Sequence, residues 1–97
     1  MIKVYVSDKK IELHGHSGYD IIGKDIVCSA VSSIVTTTIN GILSIDNDAL
    51  KYRYKNDVMT IEILKNDNVT DKLITNMLDL LKDLSKDYPK NIIVKEM

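Results

Sequence analysis

The sequence has one cysteine and one arginine, and it contains no sign of a basic stripe. The lone cysteine, Cys28, cannot form an internal disulfide. The lone arginine, Arg53, leaves the chain without the bidentate side chains that commonly read phosphate or guanine. With 13 Lys and Arg against 14 Asp and Glu, the net charge is −1. Because these charges are spread along the chain, we expect no direct nucleic-acid partner.

Long apolar runs are also scarce. The opening "MIKVYV" turns polar too early to be the apolar region of a signal peptide. No run approaches the roughly 18–20 residues needed to span a bilayer. A chain of 97 residues is nevertheless long enough to bury a core without metal or disulfide staples. We therefore expect one domain over 1–97, cytoplasmic, with no membrane partner.

Alternating apolar residues predict two β-hairpins. "MIKVYV" and "KIELHGH" alternate on either side of the polar "SDKK", and "ALKYRYK" and "VMTIEIL" flank the two-residue turn "ND". Between the two hairpins, from Asp25 to about Leu43, apolar residues instead recur every three or four positions, which is the period of a helix. Its many β-branched residues favour a helix held by packing on both sides.

A second helix is predicted over "NVTDKLITNMLDLLKDLSKDY", with Asn68 and Asp71 at capping-box spacing, and it ends before Pro89. "NIIVKEM" reads as a last strand. The order ββαββαβ predicts an α+β two-layer sandwich in which a mostly antiparallel sheet packs against two main helices.

Residues 14–29, "HGHSGYDIIGKDIVCS", hold both histidines, the cysteine and three of the four glycines. Cys28 falls in the first turn of the first helix, where backbone amides and the helix dipole favour the thiolate. Asp25 is expected to cap that helix. The amides of Cys28 and Ser29 are candidates for stabilising an acyl oxyanion.

An imidazole within reach of the thiol would complete a cysteine hydrolase. His14 and His16 are two residues apart and therefore project to the same side of an extended strand, so their spacing does not choose between them. A metal site at His14, His16 and Cys28, and a buried cysteine without catalytic role, stay open as alternatives. The glycines make a loop able to move over a site.

The same residues carry a resemblance to a known family. The string "GHSGYDIIGKDIVCSAVS" resembles the signature of the ribosomal-processing cysteine protease (Prp) family, and the length and element order agree over essentially the whole chain. The matching positions are Gly15, His16, Gly23, Asp25, Ile26, Val27, Cys28, Ala30, Val31 and Ser32. Ser17 and Ser29 stand where the family commonly has alanine, which leaves the reactive pair intact.

The resemblance implies a bacterial thiol protease that uses no cofactor and no metal, with Cys28 as nucleophile and His16 as general base. It implies a homodimer that removes the N-terminal leader of a large-subunit ribosomal protein during ribosome biogenesis. A mobile glycine-rich loop, residues 17–24, would cover the site and offer substrate contacts from Gly18, Tyr19, Ile21, Ile22 and Gly23. The alternative is a non-catalytic dimeric adaptor that binds a peptide or assists ribosome assembly.

Overall fold

A computed structural model describes residues 1–15 and 25–97 of the chain. The alternating segments form strands and the segments of longer period form helices, as the sequence predicts. In chain order the elements are β1 (Ile2–Val6), β2 (Lys10–His14), α1 (Asp25–Ile45), β3 (Leu50–Lys55), β4 (Val58–Ile63), α2 (Asn68–Asp87) and β5 (Ile92–Glu96).

The strands form one sheet in the order β3-β4-β2-β1-β5. β1 with β2, β2 with β4 and β3 with β4 are antiparallel pairs. β5 pairs parallel with β1, which makes the sheet mixed but mostly antiparallel. The predicted fold class and the order ββαββαβ are therefore confirmed.

One face of the sheet is buried beneath the helices. No helix or strand of the described residues packs on the other, which is called the open face here. Val4, Ile11, Leu13 and Ile61 are at most 1% exposed, and they lie on the helix-facing side. Their neighbours along the strands point the other way because side chains alternate across a sheet. The helices contribute the opposing apolar stripes, whose buried members are Val27, Val31, Val35, Ile39 and Ile42 of α1 and Ile74, Met77 and Leu81 of α2.

The turn between β3 and β4 is of the kind that the sequence predicts. Asn56 and Asp57 both have positive φ, at 54° and 63°. A two-residue turn with both central residues in the left-handed region matches the right-handed twist of the flanking strands. The register that follows places Lys55 opposite Val58 and Tyr54 opposite Met59.

The start of α2 differs from the expected capping box. Asp67 is the N-cap, and its carboxylate accepts hydrogen bonds from the Thr70 amide at 2.8 Å and from the Thr70 hydroxyl at 3.0 Å. Asn68 is the first helical residue instead. Asp67 and Asn68 are both good capping residues. The helix is capped by Asp67 because its carboxylate accepts the hydrogen bond of the Thr70 amide.

Helix α1 also corrects the expectation that no run approaches the length of a membrane span. Ile26–Ile45 is a run of 20 residues with a mean hydropathy of 1.7, which is long and apolar enough by length and composition. The core accounts for part of that composition, since the apolar stripe of α1 packs on the sheet while most of the run is not fully buried. The core helix of a soluble protein can be as long and as apolar, so the run is weak evidence for membrane insertion.

Candidate active site

Cys28 lies in the first turn of α1, as the sequence predicts. The helix begins at Asp25, and the Cys28 side chain is half-buried and packs against the core. Val31 and Ser32 follow one turn later on the same side of the helix. The thiol therefore sits where the positive end of the helix dipole acts on it, a position that favours the thiolate.

The helix boundary bears on both amides considered for an oxyanion site. In a regular α-helix that begins at Asp25, the amide of Ser29 reaches the carbonyl of Asp25. Cys28 is the fourth residue of α1, and the amide at the fourth position of α2, that of Asp71, bonds the carbonyl of the capping residue Asp67. The helix boundary therefore favours neither amide, and their oxyanion role stays a prediction.

Gly15 ends β2 in a conformation that favours glycine. Its φ is +75°, and a Cβ built on it would lie 2.6 Å from the carbonyl oxygen of Met1. Both the backbone angle and the close approach therefore exclude a larger residue without local movement. Because Gly15 is left-handed, β2 ends at His14.

His14 lies on the open face of the sheet, away from the helices. Its neighbour Leu13 is 1% exposed on the helix-facing side, so the His14 ring points to the opposite side. There the ring packs edge-to-face on Tyr5, with ring centroids 5.1 Å apart. Since α1 covers the other face, the sheet separates His14 from Cys28, which argues against a shared metal site.

Glu12 engages His14 on that open face. The Oε1 atom of Glu12 lies 3.4 Å from Nε2 of His14, and its Oε2 atom lies 3.5 Å from Nζ of Lys10. The hydrogen bond from His14 is the main cause that lowers the pKa of the Glu12 carboxyl, and Lys10 adds to it. His14 thus has a local structural role in this cluster.

A small hollow opens beside α1 just beyond Cys28. Its volume is about 30 Å³, and it lies between one flank of α1 and the sheet. Its lining residues are Leu13, Val31, Ser32, Val35, Thr36 and Met59. The sequence does not identify Thr36 and Met59 as neighbours of the candidate site, because their position depends on how α1 crosses the strands.

Two larger hollows among the described residues lie at the other end of the sheet. One, of about 220 Å³, lies between the β1–β2 turn and the start of α2. Another, of about 380 Å³, lies between the end of α1 and the start of α2. Volume alone would favour these hollows, but neither adjoins Cys28, so we place the candidate site at the start of α1.

Several predicted site residues lie outside the described residues. These are His16, Gly18, Tyr19, Ile21, Ile22 and Gly23, together with the rest of the predicted loop 17–24. The backbone of Asp25 is described as the first residue of α1, whereas its side chain is not. The capping role of Asp25 and the pairing of His16 with Cys28 therefore stay predictions.

The fold and the site define an α+β two-layer domain with a cysteine in the first turn of the helix that follows the first hairpin. The sequence model of the family described as cysteine protease Prp matches residues 1–93. The chain therefore belongs to the Prp family of cysteine proteases. It is also similar to the ribosomal processing cysteine protease Prp of Mycoplasma genitalium, at 29% identity over 99% of this chain and 96% of that protein.

Solved structures share the fold at lower identity. The chain is similar to a Streptococcus mutans protein with a TM-score of 0.91 at 24% identity, over 100% of this chain and 94% of the other. It is similar to the Staphylococcus aureus Prp protease in complex with a covalently linked product peptide, with a TM-score of 0.89 at 21% identity and full coverage of both chains. The same S. aureus protease is also known with a substrate peptide, at a TM-score of 0.90.

Proposed function

We propose that this chain is a cysteine endopeptidase, a single domain over 1–97, that removes the N-terminal extension of a large-subunit ribosomal protein in the bacterial cytoplasm. The observation that carries the proposal is the place of Cys28, half-buried in the first turn of α1, in a chain that matches the Prp family over residues 1–93. The dipole and amides at that helix start favour both a thiolate and a bound oxyanion.

In the proposed reaction His16 takes the proton from the Cys28 thiol. The thiolate then attacks the scissile carbonyl, and the oxyanion that forms is stabilised by amides at the start of α1. The amide C–N bond breaks as His16 returns the proton to the leaving amine. Water hydrolyses the resulting thioester and regenerates the thiol, with the leader released as a carboxylic acid.

Gly15 supports the choice of His16 over His14. The left-handed φ of Gly15 ends the alternation of β2, so His16 need not follow His14 onto the open face of the sheet. His14 is already engaged there by Glu12 and Tyr5. We further propose that the loop 17–24 closes over bound substrate, with Gly18 and Gly23 allowing its movement and Tyr19, Ile21 and Ile22 contacting the peptide.

The decisive test is incubation of the protein with the leader-bearing ribosomal protein and mass measurement of the products. We expect cleavage by the native chain and by His14→Ala, and none by Cys28→Ala or His16→Ala. Circular dichroism would verify that all variants fold. Undiminished cleavage by Cys28→Ala would refute the proposal, and binding without turnover by the native chain would indicate an adaptor instead.

The pH dependence of thiol alkylation tests the activated nucleophile independently of substrate. Because the thiolate is the reacting species, we expect Cys28 to react with iodoacetamide well below the ordinary thiol pKa of about 8.5. His16→Ala should move the midpoint upward by removing a charged partner. A midpoint near the ordinary value in the native chain would favour a cysteine with a packing role only.

We also propose that the protein forms a homodimer through the outward face of α1. From Ile26 to Ile45 the helix carries no charged residue, although 28% of the whole chain is charged. Its exposed residues are uncharged and include the small polar Ser33, Thr37, Asn40 and Ser44 and the apolar Ile26 and Ile45. Interface cores are depleted in charge, and a second copy would supply the packing on the outer side that this weak helix former lacks.

Light scattering on Thr37→Lys tests this interface. Placing a charge in the centre of the face should convert the dimer to a monomer of 11.0 kDa. Asp79→Lys, on the exposed side of α2, is the matched control and should leave the mass unchanged. Dimers of equal stability in both variants would place the interface elsewhere.

A further inference from the structure

The helix-facing side of β3 extends beyond the cover of the helices. Tyr52 and Tyr54 pair with Ile61 and Met59 of β4, so they lie on the face that carries the core. Ile61 is buried, yet Tyr52 and Tyr54 are 49% and 50% exposed. Two half-exposed aromatic side chains therefore stand at the margin of the core, next to the flank of α1.

The flank of α1 that faces this hairpin leads back to the candidate nucleophile. Cys28, Ser32 and Thr36 are spaced four residues apart and lie along one side of the helix. Ser32 and Thr36 line the hollow of about 30 Å³ together with Met59, the cross-strand neighbour of Tyr54. The helix flank and the hairpin edge thus lie on either side of this hollow. The surface that they present together is called the groove here and is defined as Ser32, Thr36, Tyr52, Tyr54 and Met59.

The spacing along both walls matches an extended peptide. Four helical residues rise about 6 Å, and two strand residues rise about 6.6–6.8 Å. Alternate side chains of an extended peptide are separated by the same distance as alternate side chains of a strand. A peptide lying along the groove can therefore present every second side chain to Tyr54 and then to Tyr52 without leaving its extended conformation.

The chemistry of the groove favours apolar side chains. None of its residues is charged, and the basic residues of β3, Lys51, Arg53 and Lys55, alternate onto the opposite face of the strand. The two aromatic rings and Met59 offer apolar contact area. The hydroxyl groups of Ser32 and Thr36 can exchange hydrogen bonds with a peptide backbone.

We propose that this groove is the substrate subsite of the enzyme and that Tyr54 and Met59 receive a bulky apolar side chain about two residues from the scissile bond. The position follows from the rise of about 6 Å between Cys28 and Ser32, which equals about two residues of extended peptide. The inference rests on the proposed protease function. The groove adjoins the first turn of α1, which carries Cys28, and for this reason we identify its occupant as the substrate.

The experiment combines protein and peptide variants. A synthetic peptide that spans the cleavage site of the leader-bearing ribosomal protein is compared with versions in which each apolar residue within three positions of the scissile bond is changed to alanine. Each peptide is tested against the native chain, Tyr54→Ala and Arg53→Ala, the last being the matched control on the opposite face of β3. Fluorescence polarisation with the same peptides on a Cys28→Ala background measures binding without turnover.

We expect Tyr54→Ala to lower kcat/KM for the parent peptide about tenfold and Arg53→Ala to change it less than about twofold. With the native chain, one of the alanine peptides should also show kcat/KM lowered about as much relative to the parent peptide. With Tyr54→Ala the same peptide should be cleaved little worse than the parent peptide, because both changes remove the same contact. Equal reductions of kcat/KM in Tyr54→Ala and Arg53→Ala would overturn the subsite. So would effects of Tyr54→Ala and of the peptide change that add up for every peptide.

The remaining outcomes separate the subsite from the protease function. If no peptide is cleaved but binding depends on Tyr54, the protease proposal fails and the groove is retained as a peptide-binding site. If cleavage is efficient and independent of Tyr54, the groove fails and the protease proposal is retained. A change of molecular mass in Tyr54→Ala, measured by light scattering, would assign the groove to a second copy and would also overturn the subsite.

Discussion

Gly15 packs so closely on Met1 that position 15 has no room for a side chain: a Cβ there would lie 2.6 Å from the Met1 carbonyl oxygen. The backbone is also left-handed at Gly15, with φ at +75°. This contact ties the end of β2 to the start of β1, immediately before the proposed general base His16.

We expect Gly15→Ala to destabilise the fold by about 1–3 kcal/mol, because alanine at positive φ is strained and the Met1 backbone must move. If His16 is the base, cleavage should fall further than stability alone explains. Gly41→Ala is the control, since Gly41 lies within α1 and a Cβ added there would meet nothing within 4 Å; alanine should raise stability by up to about 1 kcal/mol at that position. Chemical denaturation measures both changes, and equal effects would contradict the role of Gly15.

His14→Ala separates the two histidines through a property of Glu12. The hydrogen bond from His14 lowers the pKa of the Glu12 carboxyl, so the variant should show a higher Glu12 pKa in an NMR titration. The stabilisation from that pair is present above the carboxyl's ordinary pKa and is lost as the pH falls through the lowered pKa of the folded state. The native chain should therefore lose more stability than His14→Ala on acidification below about pH 4.3.

Cleavage by His14→Ala should stay within about twofold of the native rate, because the sheet lies between His14 and Cys28. A loss comparable to that in His16→Ala would contradict this separation. An unchanged Glu12 pKa in the variant would show that the pair at 3.4 Å is not formed in solution.

The element order could be predicted because each segment keeps one hydrophobic period from end to end. The relation between the histidines could not, since strand alternation places them on one side only if β2 continues through Gly15. A glycine can adopt either sign of φ, and the contact with Met1 that selects the positive value joins positions far apart in the sequence. The place of His14 alone could be predicted, because it alternates with the apolar Leu13 along β2.

The exposure of Tyr52 and Tyr54 was hidden from the sequence for another reason. Alternation in β3 is typical of a half-buried strand, and it assigns both tyrosines to the core face. Two helices, each about 10 Å across, cover roughly four strands spaced about 4.8 Å apart. One of the five strands is therefore left uncovered, and it is the edge strand β3. Only the packing of the helices reveals which of the two edges this is.

The N-cap of α2 offers a direct test of the corrected helix start. We expect Asp67→Ala to destabilise the fold by about 1 kcal/mol, because the Thr70 amide loses the carboxylate that it bonds at 2.8 Å. Asn68→Ala should change stability by less than about 0.5 kcal/mol, since residue 68 is an exposed first helical position. Thermal unfolding followed by circular dichroism measures both, and the reverse order of effects would restore Asn68 as the cap.

The β3–β4 turn gives a stabilising substitution. Asn56 and Asp57 both have positive φ, and the aspartate retains the steric cost of a Cβ in that region. Asp57→Gly should therefore raise the free energy of unfolding by about 0.5–1 kcal/mol, since Asn-Gly is the preferred pair for this turn. Asp57→Ala, which keeps the Cβ and loses the polar group, should lower it. Because Tyr54 is placed by this turn's register, a gain in stability for Asp57→Ala would contradict the turn geometry on which the groove's wall depends.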